Sequence, residues 1–409
     1  MRGKWTMLAA LCVLFALYTV DRALLGLLAV PIQAETGMSN VRFGLLNAAV
    51  FWTYALVAPV AGLAGDRFDR ARLIGLAAMA WSLMTFLAGL ACGFWSLLLL
   101  ASVAVVVPQT LYSPTASAFI ASIHRETRTV AMSCHQAAFY TGWLVSGAVV
   151  AGLVSRFGSW RAAFLALGAF GVVAGGAFLL AAGARPGASP VAPSASKPSF
   201  RASVTAFWGC KSALLAGVGY VAAVFVSCGY CAWGPKFIAD KFAISVAEAG
   251  AGVMFWHYAA SFVSILAAGA VTDRLVRRFP RARLVMGMAA FALAIPSLSL
   301  FALGGTKAAA FAGAAFLGAM LGVLGANQFT NLFDVIPAAC RAGAIGFLNV
   351  IAGLVGSLSP VLLGALSQRD GLAGFERGFA AMGAALSVPI AAFLVSFLFT
   401  FDKERIVDL

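Results

Sequence analysis

The amino-acid sequence predicts an all-α, polytopic membrane protein, and three observations predict it. Hydrophobic residues make up 62% of the 409 positions and charged residues only 10%, a balance that no water-soluble domain of this size needs. The apolar residues gather into twelve runs of roughly 20 residues, the length that carries a helix across a hydrocarbon core of about 30 Å. Their continuous apolarity suits neither the alternating strands of a membrane barrel nor short soluble strands, so each run satisfies its own backbone as a helix.

In chain order the spans start near Trp5, Val41, Arg72, Trp95, Thr129, Trp160, Lys211, Ala249, Arg283, Ala308, Ala342 and Arg377. The basic start and apolar run of span 1 imitate a secretory signal, but no small-residue cleavage site follows, so span 1 is read as uncleaved. Most of the 28 lysines and arginines share one side of the membrane if both termini lie there, including Arg67, Arg70, Arg72 and the run from Arg274 to Arg283. The positive-inside rule then makes both termini cytoplasmic, and the short loops suggest a bacterial inner membrane. The net charge of +14 is an orientation signal and an attraction to anionic headgroups. It is not a nucleic-acid footprint, because no basic and aromatic patch sits on a soluble module. The seven cysteines fall in or at the ends of spans, which argues against a disulfide framework. CGYC at Cys228–Cys231 sits within span 7, where small apolar packing explains it better than redox or metal chemistry.

RPGASPVAPSASKPSFR, from Arg185, is the one long Pro, Ser and Ala segment, and it divides the spans six and six. The expected organisation is a bundle over 1–184, a flexible cytoplasmic linker over 185–206 and a bundle over 207–409. The halves repeat one another. GLAGDRFDRARL from Gly62 leaves span 2, and GAVTDRLVRRFPRARL from Gly269 leaves span 8; both place glycine four residues before Asp-Arg and close on RARL. Arg128 stands 30 residues before Gly158, as Arg341 does before Gly371. Such symmetry implies two homologous bundles with a midplane site at their interface.

Gly-x-x-x-Asp-Arg-x-x-Arg in both loops, twelve spans, a central linker and the Trp-Arg of SWRAAF from Ser159 resemble the major facilitator superfamily over essentially the whole chain. The resemblance implies two pseudo-symmetric six-helix bundles. It also implies a cytoplasmic gate: Asp66 with Arg67, Arg70 and Arg125 in the first half, Asp273 with Arg274, Asp334 and Arg341 in the second. Asp334 is expected to partner Arg341. The alternative for these charges is a solvated loop obeying the positive-inside rule. Asp69 departs from the family loop, which usually has glycine there.

YTVDRALLGLLAVP, from Tyr18, puts two charges about 24 Å along span 1, well inside the hydrocarbon. Buried charges at that depth cost at least about 2.5 kcal/mol each, and they normally face a bundle interior or a wet cavity. Adjacent helical residues point about 100° apart, so one of Asp21 and Arg22 is expected to line a cavity while the other turns to a neighbouring helix. Arg22 suits a carboxylate or phosphate; Asp21 is the candidate proton carrier. A structural ion pair is the alternative. An aromatic followed by Asp-Arg in span 1 also resembles the anion:cation symporter and Spinster-like branches, and FGLLNAAVFWTYA, AWSLMT and LYSPTASAFIASIH lean to the latter. Those branches carry an arginine and a glutamate in span 4, where this chain has Ser102 and Gln109. Glutamine cannot titrate, so proton coupling moves to Asp21 or is absent.

Asn327, Asn331 and Asp334 form one stripe of span 10; Gln109, Ser113 and Ser117 share a face of span 4; Gln136 and Tyr140 lie in span 5. Arg22, Gln109, Gln136, Tyr140, Asn327 and Asn331 are the candidate substrate contacts, with interhelical glue as the other reading. His135 is a candidate on a proton route, or a structural histidine. Gly171 with Gly175 and Gly318 with Gly322 are expected close-packing points. No Walker motif, zinc spacing or catalytic triad occurs, so no enzyme, cofactor, metal or nucleotide chemistry is expected. The reading is a monomeric secondary transporter without an obligatory protein partner, moving a small organic anion by alternating access with proton coupling. A Spinster-like lysolipid or drug exporter is the alternative, and a non-transporting sensor the second.

Overall fold

The computed structural model of the protein describes residues 2–67, 69–124, 127–183, 200–337 and 340–406, with the side chains of 2, 59–67, 128, 129, 200 and 342 set aside. No strand occurs among these residues. Among the described residues, twelve helices are long and apolar enough to cross a membrane: α1 Gly3–Leu27, α2 Asn40–Ala58, α3 Arg70–Ala88, α4 Phe94–Ile123, α5 Val130–Phe157, α6 Trp160–Ala182, α7 Lys211–Phe242, α8 Val246–Val276, α9 Ala282–Leu303, α10 Lys307–Phe333, α11 Gly343–Asp370 and α12 Leu372–Glu404. The fold is all-α, as composition and run length require. A break at Leu28 separates α1 from a short helix, Ala29–Thr36, which ends on Gly37 in the left-handed region at φ 64°.

The chain forms two compact units. One holds Met1–Ser194 with Cys231–Ala239 and Ile244–Phe255; the other holds Ala195–Tyr230, Asp240–Ala243 and Trp256–Leu409. In the first, α3 lies along α6, α1 along α5, and α2 and α3 along α4. Its core gathers Leu11, Phe15 and Tyr18 of α1, Ile74 and Trp81 of α3, and Tyr112 and Phe119 of α4. In the second, α9 lies along α10 and α12, and α11 along α12.

Helices in lipid gain little from burying apolar surface against one another, so close approach of backbones has to hold them together. A Cβ on Gly171 would run into Ser82, one on Gly175 would sit 2.9 Å from Met79 Cγ, and those on Gly318 and Gly322 would meet the His257 and Ser261 carbonyls. These are the packing points that the sequence suggested. Gly168 of α6 also faces backbone, since a Cβ there would lie 2.6 Å from the Phe86 Cα of α3 and against its amide nitrogen. Backbone cannot yield as a side chain can. Gly168→Val is therefore expected to cost at least about 1–3 kcal/mol, the usual range for overpacking, and to lower the thermal midpoint in detergent; an unchanged midpoint would show that α6 is free to slide.

Candidate functional site

α1 sets the site by carrying Tyr18, Asp21 and Arg22 within little more than one turn. Asp21 is 8% exposed and turns toward α3, where its Oδ2 accepts a hydrogen bond from Thr85 Oγ1 at 3.4 Å. Arg22 turns the other way. Its guanidinium carbon lies 5.5, 5.7 and 5.4 Å from the ring centres of Tyr18, Phe51 and Tyr54. Ring faces attract a cation electrostatically without occupying its N–H donors. The roughly 100° between adjacent side chains thus separates the two charges onto different neighbours.

Among the described residues, Arg22 Nη1, Asp21 Oδ1 and both amide atoms of Gln109 are buried with no hydrogen-bond partner. All three residues, with Thr85, line one cavity of about 20 Å³. Unpaired buried polar atoms cost about 1–3 kcal/mol each, and four such atoms belong to residues lining this one small space. The cavity admits about one water, too little for an organic solute in this state. Arg22 as a whole is only half-buried, as are Phe51 and Tyr54, so a larger ligand has a side from which to reach its fork. Ala101 and Val105 contribute to the cavity wall, in and beside a π-helical stretch of α4, Leu98–Ala104, where Val105 N–H reaches back to the Leu100 carbonyl at 3.0 Å. Such wide turns are frequent at functional sites.

His135 belongs to a neighbouring cluster and does not line this cavity. Its Nε2 is 3.1 Å from Tyr112 Oη, and that hydroxyl donates to the Leu11 carbonyl at 2.7 Å. The single Tyr112 proton is thereby committed, so Nε2 carries the hydrogen and donates to Tyr112. Phe15 stacks on the imidazole at 4.2 Å. Gln136 is exposed on α5, and Tyr140, half-buried, meets Phe139 edge to face.

In the second unit Asn327 and Asn331 are buried, with Tyr220 and Gln328, around a cavity of about 10 Å³. Asn327 Nδ2 donates to the Val323 carbonyl at 3.0 Å, while Asn331 Oδ1 has no partner among the described residues. Tyr220 Oη donates to Asn349 Oδ1 at 2.6 Å. A cavity of about 610 Å³ elsewhere in this unit is an apolar groove, lined by Trp208, Phe225 and Pro389 among others. It offers no group that could hold a charge.

The charged loops are partly visible. Asp66 and Arg67 side chains, Arg125 and most of the 185–206 linker lie outside the described residues. Asp69, at the position usually held by glycine, caps α3 by accepting from Arg72 N–H at 2.8 Å, and Arg70 opens that helix half-buried. In the second unit Asp334 takes two hydrogen bonds from Arg283 Nη1, at 2.8 and 2.6 Å, a partner that the sequence did not single out. Arg341 donates to the Phe333 and Ile336 carbonyls at 2.7 and 3.1 Å, closing the end of α10. Burial pushes the Asp334 carboxyl above its ordinary range, with Arg283 pulling the other way. Asp273 lies 3.9 Å from Arg283 and is largely exposed, as is Arg274.

At the opposite ends of the spans the Trp-Arg pair opening α6 finds its purpose. Trp160 Nε1 donates to Glu35 at 2.5 Å and Arg161 Nη2 at 2.7 Å, while Arg161 Nη1 reaches the Gly89 and Ala91 carbonyls at the end of α3. These donors hold the Glu35 carboxyl below its ordinary range. The second unit repeats the device with charges exchanged: Lys241 of α7 binds Glu376 of α12 at 2.7 Å and the Ala302 carbonyl at the end of α9. No group of three or more His, Cys, Asp or Glu among the described residues is placed to hold a metal ion.

The sequence profile described as Major Facilitator Superfamily matches residues 10–360. The hexuronate transporter of Bacillus subtilis is 22% identical over 363 residues, covering 86% of this chain and 85% of that protein. The cis,cis-muconate transport protein of Acinetobacter baylyi is 25% identical over 397 residues, covering 94% and 92%. Among solved structures, a bacterial homolog of the human lysosomal transporter Spinster, inward-facing and occupied, superposes with a TM-score of 0.86 at 20% identity over all of both chains. With twelve spanning helices, this architecture and a profile match over most of its length, the chain belongs to the Major Facilitator Superfamily of membrane transporters.

Proposed function

We propose that the protein is a secondary transporter that moves a small organic anion across the bacterial inner membrane, both termini cytoplasmic, by alternating access of the 1–184 and 207–409 halves. The observation that carries this reading is the Arg22 guanidinium, fixed among three rings, with a buried donor unspent. A planar fork suits a carboxylate, and Gln109 beside it supplies a donor and an acceptor for hydroxyl or carbonyl groups of the same solute. Asn327 and Asn331 serve the second half as Gln109 serves the first, and Gln136 and Tyr140 of α5 complete the set. Asp21 is the group that takes up a proton to balance the anion, with His135 on its route. Asp66, Arg67, Arg70 and Arg125, with Asp273, Arg274, Asp334 and Arg341, close the cytoplasmic side. Relatives named for hexuronate and cis,cis-muconate, both organic acids, support the substrate class.

A lysolipid or other amphiphile is the second reading, favoured by the apolar groove of about 610 Å³. Counterflow in proteoliposomes separates the two. Vesicles preloaded with unlabelled sugar acid or dicarboxylate are expected to take up the labelled anion faster than empty ones; lysolipid release without anion counterflow would overturn the proposal.

A further inference from the structure

We infer that the surface pocket formed by Phe279, Pro280, Arg281, Asp402 and Arg405 binds the phosphate of an anionic glycerophospholipid. This pocket of about 290 Å³ belongs to the second unit and sits where α8 gives way to α9 and where α12 ends, the level at which spanning helices meet the headgroup layer.

The charge balance around it is one-sided. Arg281 is held by Asp402, its Nε donating to Oδ1 at 3.1 Å and its Nη2 to Oδ2, and Arg283 is held by Asp334. Arg405 lies close enough to act on both carboxylates, yet each of them already carries its own guanidinium. With Arg341 also acting on Asp334 and Asp273 lying 3.9 Å from Arg283, four guanidinium groups face three carboxylates, and Arg405 lines the pocket. Exposed Arg277 and Arg278 add to it from the same loop. The cations are fixed in place: Arg281 lies 4.8 Å over the Phe397 ring, and the Arg405 segment is tied down by Ile406 N–H to the Asp334 carbonyl at 2.8 Å.

A soluble phosphate needs nothing more, but the pocket also presents a hydrocarbon. Phe279 is 43% exposed and leans on Phe397 with ring centres 6.2 Å apart, an apolar surface beside the cations that an acyl chain or glycerol backbone covers. A basic recess next to an exposed aromatic, at the end of spanning helices, matches a lipid headgroup better than a free anion.

The test reconstitutes the full chain in nanodiscs of phosphatidylcholine containing about one third phosphatidylglycerol, then counts retained phosphatidylglycerol by native mass spectrometry. Arg405→Gln is expected to lower retention about fivefold, the effect of one basic residue at a membrane surface, while Arg405→Lys keeps most of it. Arg156→Gln, a basic change at the far end of α5, is expected to leave retention as in wild type. Equal retention in Arg405→Gln overturns the inference, as does an equal loss in Arg156→Gln, which would mean a diffuse surface effect. Displacement of the lipid by millimolar inorganic phosphate in phosphatidylcholine-matched discs would assign the pocket to a soluble anion instead. Unfolding of Arg405→Gln is read separately from its thermal midpoint, and Arg405→Lys then decides the case through its own retention.

Discussion

Replacing Arg22 by glutamine is expected to weaken anion binding roughly a hundredfold and to abolish counterflow at working concentrations. Two charge-assisted hydrogen bonds from a planar fork to a carboxylate are lost together, and losses of this kind come to about 3 kcal/mol in a buried site, which converts to that factor. The Tyr18, Phe51 and Tyr54 rings hold the guanidinium from its sides, so the fork is oriented before a ligand arrives. Arg22→Lys keeps the charge but not the fork, and is expected to fall between, at about a tenfold loss. Isothermal titration with the anion found by counterflow measures both. If Arg22→Gln binds as tightly as wild type, the arginine is a structural cation and the anion site lies elsewhere.

Asp21→Asn is expected to separate coupling from exchange. Asparagine fills the same space and keeps the bond from Thr85, but it can neither take nor release a proton. An inward proton gradient should drive at least about tenfold accumulation of the anion in wild-type vesicles and none in the variant, while counterflow at equal pH stays within about twofold. The cavity argues for this split, because Asp21 Oδ1 is left without a donor on the side where Gln109 replaces the titratable residue of the related branches. Gradient-driven accumulation that survives in Asp21→Asn would remove Asp21 from coupling.

Apolarity and run length alone placed all twelve spans within a few residues, since lipid leaves the backbone no other solution. The depth of Asp21 and Arg22 marked them as a candidate site; the angle between adjacent helical residues gives them different neighbours, yet both line one cavity, where the sequence led us to expect only one of them. Their partners were not legible. Thr85 is an ordinary polar residue in an apolar run, and Phe51 and Tyr54 read as generic α2 aromatics; only the packing of α1 against α2 and α3 turns them into a cradle. Arg283 escaped for a similar reason. Arg341 was nearer to Asp334 in sequence and does act on it, but the fold also carries the start of α9 to the end of α10. Asp69 looked like a flaw in a loop motif and is a helix cap. Glu35 gave no signal, because its meaning depends on Trp160 and Arg161 arriving from 125 residues away.

The π-helical stretch Leu98–Ala104 also sets a phase. Bonding from i to i+5 stores surplus chain within a helix, and a surplus of one residue rotates everything after it by roughly 100° about the helix axis. Gln109, which is 1% exposed, and Tyr112 both follow that stretch. Winding the same residues as regular α-helix would swing Gln109 off the Asp21 cavity and draw Tyr112 away from Leu11 and His135 in one motion, whereas removing one residue together with the wide turn would leave both where they are. The angular setting of α4 around the cavity is thus held by a turn upstream of it that takes up one extra residue, so that chain length there can change by one without altering which side chains look inward.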